Sequence, residues 1–289
     1  MATLLDSIVA ATRTRVAEAK RGADLRSLEQ RAEQHAPRGF RRALENPHSV
    51  AKDATEMGQP QRDSGHVPIA VIAELKKASP SRGLIRAKFH PAELAGELET
   101  AGAAALSVLT NEEHFQGSLG NLQQASAAVK IPCLRKDFII DQFQLIEARA
   151  NSADAVLLIV AALTPAELNS LAAAARRFGL DVLCEVHDSE ELQRALEAGC
   201  DLIGVNTRDL RTFKVDLETA FRMADKFPAG VVRVAESGIR SAEDIARLRE
   251  AGYHAFLVGE SLMRAEKPGD ALRELMRVPS TRYTVPSTQ

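Results

Sequence analysis

From Ile69 onward, short apolar runs alternate with helical segments eight times, and that rhythm constrains the fold more than any other feature of the chain. The runs are 69-IAVIAEL-75, 104-AALSVLT-110, 132-PCLRK-136, 155-AVLLIV-160, 181-DVLCEV-186, 202-LIGVN-206, 231-VVRVAE-236 and 255-AFLVG-259. They are rich in Val, Ile and Leu and often apolar at both parities, as strands covered on both faces must be. Between them stand helix punctuation marks. Thr164, Pro165 and Glu167 supply an N-cap, a first-turn proline and a capping acid, and Gly179 supplies the stop. Asp188 with Glu191 opens a helix stopped by Gly199, Ser241 with Asp244 opens one stopped by Gly252, and Pro91 begins one stopped by Gly102.

Eight strand–helix units over about 200 residues predict an α/β chain closed into a (β/α)8 TIM barrel. An open, doubly wound sheet shares the alternation. It usually carries a Gly-rich turn after its first strand, whereas this chain runs into 76-KKASPSRG-83, with no G-x-G-x-x-G. Residues 1–68 precede the barrel. Leu4, Leu5, Ile8, Val9 and Val16 have helical spacing through Lys20, and shorter helices are predicted over Leu25–His35 and Phe40–Leu44. The polar stretch 46–66 reads as a loop. This section lacks the apolar content for a core of its own and is expected to pack on the barrel, 69–289, as a helical extension.

The formal net charge of −2 gives no general attraction to nucleic acid or to an anionic membrane. No apolar run approaches the ~20 residues that cross a bilayer, and the first twenty residues lack a signal-like apolar stretch. Three cysteines, Cys133, Cys184 and Cys200, read as buried small hydrophobes in a reducing compartment, so a cytoplasmic protein is expected. The seven histidines show no ligand spacing, which predicts no metal, and no G-x-S-x-G elbow occurs.

Charge stands where the strands end. Glu74 and Lys76 follow the first run, Lys136 closes the third, Glu185 stands near the end of the fifth, Asn206 closes the sixth and Glu236 the seventh. By parity, Lys136 shares a face with Leu134, Glu185 with Leu183, Asn206 with Gly204 and Glu236 with Val234. Lys76, Lys136, Glu185 and Glu236 come from alternate strands, the arrangement that fills one interior layer of such a barrel at its carboxyl-terminal mouth. A structural ion-pair plug is the bland alternative. The functional reading is a site with both proton donors and acceptors, because burying charge is costly unless it is paired or used. Ser237-Gly238 after the seventh run and Gly259-Glu260-Ser261 after the eighth occupy the loops that commonly hold phosphate, with Lys76, Ser79 and Arg208 able to complete the cradle. Phe89, Phe115 and Phe138 can floor an aromatic pocket. A buried lysine can also form a Schiff base, which keeps an aldolase open, as well as a ketose isomerase or a non-catalytic barrel subunit.

The segments 73-AELKKASPSRG-83, 110-TNEEHFQGS-118, 135-RKDFIIDQFQ-144, 205-VNTRDL-210, 234-VAESGI-239 and 257-LVGESLM-263 resemble the indole-3-glycerol-phosphate synthase family. The resemblance implies a cofactor-independent carbon–carbon lyase of tryptophan biosynthesis. Such an enzyme converts 1-(2-carboxyphenylamino)-1-deoxyribulose 5-phosphate to indole-3-glycerol phosphate, carbon dioxide and water. It implies Lys136 as general acid and Glu185 as acid/base in dehydration. Lys76 would meet the substrate carboxylate or phosphate, while Glu74, Asn206 and Glu236 orient the lysines and substrate hydroxyls. Ser237, Gly238, Gly259 and Glu260 would bind phosphate largely through backbone, and Phe115 and Phe138 would line the anthranilate pocket. Glu260 replaces a serine seen in some relatives, so its carboxylate is expected to turn away from the anion. The partner is then a small phosphorylated substrate, and the chain a monomer or weak homodimer.

Overall fold

Eight parallel strands close on themselves in the computed structural model, which describes residues 3–47, 69–209 and 212–278. They are β1 (Ala70–Leu75), β2 (Ala105–Leu109), β3 (Cys133–Lys136), β4 (Ala155–Ile159), β5 (Asp181–Val186), β6 (Leu202–Asn206), β7 (Val232–Glu236) and β8 (Ala255–Val258). Each pairs with its sequence neighbours, and β8 returns to β1 with Ile72 beside Leu257. The predicted barrel is therefore present, with strand ends trimmed for local reasons. Pro132 has no N–H to give a ladder, Val160 begins a single 3-10 turn, and Gly259 leaves β8 to cap the next helix. A short hairpin, Ala78–Ser79 with Gly83–Leu84, follows β1.

The alternation of side chains sorts the interior into two cores. Inside the barrel, Ala70, Ile72, Leu134, Ala155, Leu157, Leu183, Leu202, Val232, Val234, Ala255 and Leu257 form one cluster. The opposite parity packs outward under the helices, where Val71, Ala73, Leu106, Val108, Cys133, Val156, Cys184, Ile203, Ala235 and Phe256 belong to a larger cluster. All three cysteines are buried and unpaired. The caps anticipated at Thr164, Asp188 and Ser241 all close as expected, with reciprocal capping boxes at Thr164 and Ser241.

The extension grips the barrel at both ends. Helix α1 spans Leu4–Gly22, α2 Leu25–Gln34 and α3 Phe40–Glu45. Phe40 and Leu44 of α3 join the inner cluster, so α3 plugs the amino-terminal end of the barrel. Phe40 has no exposed surface, which is worth about 1.5–3 kcal/mol for a phenylalanine. Ahead of α3, Arg38 donates to Asp154 Oδ2 at 2.6 Å, and the same carboxylate oxygen takes the Cys133 amide at 2.6 Å. At the other end, α1 lies by the mouth. Arg15 reaches Asp137 at 3.4 Å and Lys20 reaches Asp141 at 2.9 Å, both carboxylates standing just beyond β3. The loop expected over 46–66 falls, from residue 48 on, outside the described residues. No helix among the described residues is long and apolar enough to cross a membrane.

Candidate active site

The strand-end charges converge. Lys136 Nζ, at the tip of β3, donates to Glu185 Oε2 at 2.9 Å from β5 and to Glu236 Oε2 at 2.6 Å from β7. Asn206, on β6 between those two strands, donates its Nδ2 to Glu185 Oε1 at 3.1 Å, and its Oδ1 accepts the Arg208 amide at 3.0 Å. Lys76 pairs with Glu74 across the turn of β1. Glu74, Glu185 and Glu236 are buried, and the two ammonium groups are nearly so.

Two glycines make room for these carboxylates. A Cβ at Gly204 would stand 1.9 Å from Glu236 Oε1, and one at Gly259 would stand 2.2 Å from Glu74 Oε2. A side chain at either position would force the neighbouring carboxylate to shift. Ser237, directly after Glu236, holds a left-handed φ of 67°, a conformation unusual outside glycine and concentrated at functional sites.

Burial and charge set the protonation states. Burial alone would lower the Lys136 pKa, but Glu185, Glu236 and Glu74 together outweigh it and hold the amine well above its ordinary value. Burial would raise Glu185, yet the Lys136 and His187 charges and the Lys136 and Asn206 hydrogen bonds bring it down to about 2. Glu236 goes the other way. Burial and the neighbouring Glu185 charge exceed the help from Lys136 and raise it to about 7. Its second oxygen, Oε1, is buried with no hydrogen-bond partner. One ammonium between two carboxylates thus leaves one ionised and one poised near neutrality, the separation that acid/base chemistry needs.

Above this layer opens a cavity of about 730 Å³. Every catalytic and binding candidate named from the sequence lines it except Phe89, which packs against the outer core instead. Ser79 Oγ is buried and unpartnered. Glu260 is one of the residues that line the cavity. Its carboxylate pairs with three guanidiniums, Arg82 at 3.1 Å, Arg264 at 3.2 Å and Arg208 at 3.7 Å. The sequence reading missed several lining residues. Leu4, Leu5 and Ile8 of α1, together with Asn111, Asp137 and Phe213, are among them. The apolar spacing of α1 was visible, but nothing in it says which surface the helix covers. Among the described residues, no group of three or more His, Cys, Asp or Glu side chains is placed to hold a metal ion.

The family model for indole-3-glycerol phosphate synthase matches residues 5–275. The chain belongs to the indole-3-glycerol phosphate synthase family. Indole-3-glycerol phosphate synthase of Koribacter versatilis (strain Ellin345) is 56% identical over 276 residues, covering 96% of this chain and 100% of that protein. The enzyme of Burkholderia vietnamiensis (strain G4 / LMG 22486) is 47% identical over 275 residues, covering 95% and 99%. Among solved structures, a 3-hexulose-6-phosphate synthase aligns with a TM-score of 0.59 at 16% identity over 73% of this chain and 100% of its own. Thiamine phosphate pyrophosphorylase from Pyrococcus furiosus aligns at 0.56 and 17% identity over 73% of this chain and 95% of its own. These two share the barrel alone. The indole-3-glycerol phosphate synthase matches run through the extension as well as the barrel.

Proposed function

We propose that this chain is a cofactor-independent carboxy-lyase of tryptophan biosynthesis that closes the indole ring of 1-(2-carboxyphenylamino)-1-deoxyribulose 5-phosphate. The observation that carries the reading is the Lys136 ammonium shared by Glu185 and Glu236 on the floor of the cavity. The ring carbon bearing the carboxylate bonds to the ketose carbonyl carbon, and negative charge develops on the carbonyl oxygen. A fixed ammonium at that oxygen stabilises the transition state more than the ground state and then passes it a proton. Carbon dioxide leaves as the carbon–carboxylate electrons flow into the ring-closed iminium and restore aromaticity, so no further electron sink is needed. Water then departs with a proton from one carboxyl group while a carboxylate takes the proton of the adjacent methylene. Glu185 is assigned to that acid/base step, and Glu236, poised near neutrality, to returning the proton to Lys136.

The phosphate is assigned to the rim formed by Arg208, Ser237-Gly238 and Gly259-Glu260, with Lys76 and Ser79 opposite. Holding the far end of a flexible chain there brings its ring carbon to the carbonyl. Phe115 and Phe138 flank the region assigned to the aromatic ring. The raised Lys136 pKa weighs against a Schiff-base aldolase, which needs a free amine. Unpaired buried cysteines suit a cytoplasmic location, and the chain is proposed to act as a monomer or weak homodimer. The test is fluorescence-monitored formation of an indole product from the carboxyphenylamino-deoxyribulose phosphate, with and without chelator. Product at equal rates in both supports the proposal, and a lysine adduct trapped by borohydride in place of product would transfer it to an aldolase.

A further inference from the structure

We propose that His187, backed by Glu191, is a positioning residue that holds Glu185 oriented as a carboxylate against Lys136. The inference rests on the ring-closure reading and adds to it a residue that lies outside the cavity wall. His187 follows β5 directly, two positions beyond Glu185. Its backbone amide donates to Glu191 Oε2 at 2.8 Å, and its Nδ1 lies 3.0 Å from the same oxygen. Glu191 stands in the first turn of the helix Ser189–Glu197, so the ring is fixed by the strand on one side and the helix on the other. The other ring nitrogen, Nε2, is buried, has no hydrogen bond, and lies 3.5 Å from Glu185 Oε1.

That geometry favours the protonated ring. With Nδ1–H given to Glu191, a neutral ring would aim the Nε2 lone pair at a carboxylate oxygen. An imidazolium places a positive charge 3.5 Å from that oxygen instead. The charged groups facing the ring are Glu185, Glu191 and Glu236, all acidic, with Lys136 beyond them shared between two of the three. Burial opposes the charge, but the Glu191 hydrogen bond and the three carboxylates outweigh it and raise the imidazole pKa. The consequence appears when substrate arrives. Lys136 then turns part of its attraction to the carbonyl oxygen, and Glu185 loses its strongest partner. Asn206 is neutral and cannot replace a charge. The imidazolium behind Glu185 keeps it ionised until the methylene proton must be taken.

The experiment compares kcat against pH for the full-length wild type, His187→Asn and Glu191→Gln on the carboxyphenylamino-deoxyribulose phosphate. Loss of the cation raises the Glu185 pKa, so the acidic limb of kcat moves upward by about one pH unit or more in His187→Asn, the scale of a charge within a few ångströms. Glu191→Gln keeps an acceptor for the backbone amide and lowers the imidazole pKa, so it moves the limb in the same direction by less. It also decides the matter if His187→Asn does not fold. Because His187 does not line the cavity, KM on the plateau stays within about twofold of wild type. Acidic limbs unmoved in both variants, or a loss that falls on KM, overturn the role of His187. A wild type that forms no indole product instead overturns the ring-closure reading itself.

Discussion

Glu236 grips Lys136 with one oxygen at 2.6 Å and leaves its other oxygen buried without a partner. Glu185 grips the same ammonium at 2.9 Å, but its second oxygen is satisfied by Asn206. The two carboxylates therefore differ in how much support each has for a negative charge. A barrel core stabilised for folding alone would not keep such an asymmetric trio, since well-packed apolar residues are often as stable as buried ion pairs. The asymmetry makes sense as pre-set proton traffic around one ammonium.

Replacing Lys136 with Ala removes the ammonium that both carboxylates share. The variant is expected to bind substrate, because the phosphate rim is untouched, and to turn over at least ~100-fold more slowly, the scale of a lost general acid. Steady-state kinetics with an independent binding measurement check this. Near-normal turnover would remove Lys136 from its assigned role.

Glu236 also makes stability depend on pH in a definite direction. Its folded pKa, about 7, lies above the ordinary glutamate value, so the folded state holds a proton that the unfolded state has already lost. That contribution is complete below the unfolded value and disappears as pH rises through the folded one. Glu185, depressed to about 2, contributes in the opposite sense, and its share is lost only in strong acid. Glu236→Gln removes the first dependence. Urea denaturation at a series of pH values should show the variant gaining on wild type between about pH 5 and 8. A constant difference across that range would mean that Glu236 is ionised throughout.

How far this was legible in the chain follows from what strand parity can and cannot carry. Parity placed Lys136, Glu185, Asn206 and Glu236 on the inward face because the two-residue period is rigid, and the structure puts all four in one cavity wall. The caps at Thr164, Asp188 and Ser241 were equally visible because each is a local hydrogen bond over three residues. Long-range partners were not visible. Arg15 meeting Asp137, or Arg82 meeting Glu260, depends on chain paths that no local pattern encodes. For Glu260 the Arg264 pair, four residues along the same helix, was foreseeable, whereas the attraction by Arg82 and Arg208 was not. His187 carried a faint signal, the same parity as Glu185, but its partner lies on the following helix.

The arginine cluster around Glu260 gives a prediction for binding. Its carboxylate competes with any incoming phosphate for Arg82 and Arg208. These are partly exposed pairs, worth at most about 1 kcal/mol each, so Glu260→Gln should lower KM by roughly 2–5-fold with kcat little changed. Titrating KM against added salt should show a steeper dependence in the variant, because more uncompensated charge meets the substrate. A rise in KM would instead assign Glu260 to keeping the arginines in position.

Gly204 is the sharpest structural test of the site. A methyl group there would overlap Glu236 Oε1, the unpartnered oxygen, and would stand 3.3 Å from Leu183 Cδ1, which must give by a few tenths of an ångström. Gly204→Ala must therefore push Glu236 away from Lys136, since β6 and β7 are paired directly at Gly204–Val234 and Asn206–Glu236 and cannot separate cheaply. The expected cost is about 1–3 kcal/mol of stability, typical of an overpacked interior, with at least a tenfold loss in kcat. The two effects have different origins and can be separated. In Gly204→Ala/Glu236→Ala the clash is gone, so stability should recover well beyond the sum of the single variants, a positive coupling between contacting sites. Activity should not recover, because the carboxylate is still missing. Additive stabilities would show that the glycine serves the strand and not the carboxylate beside it.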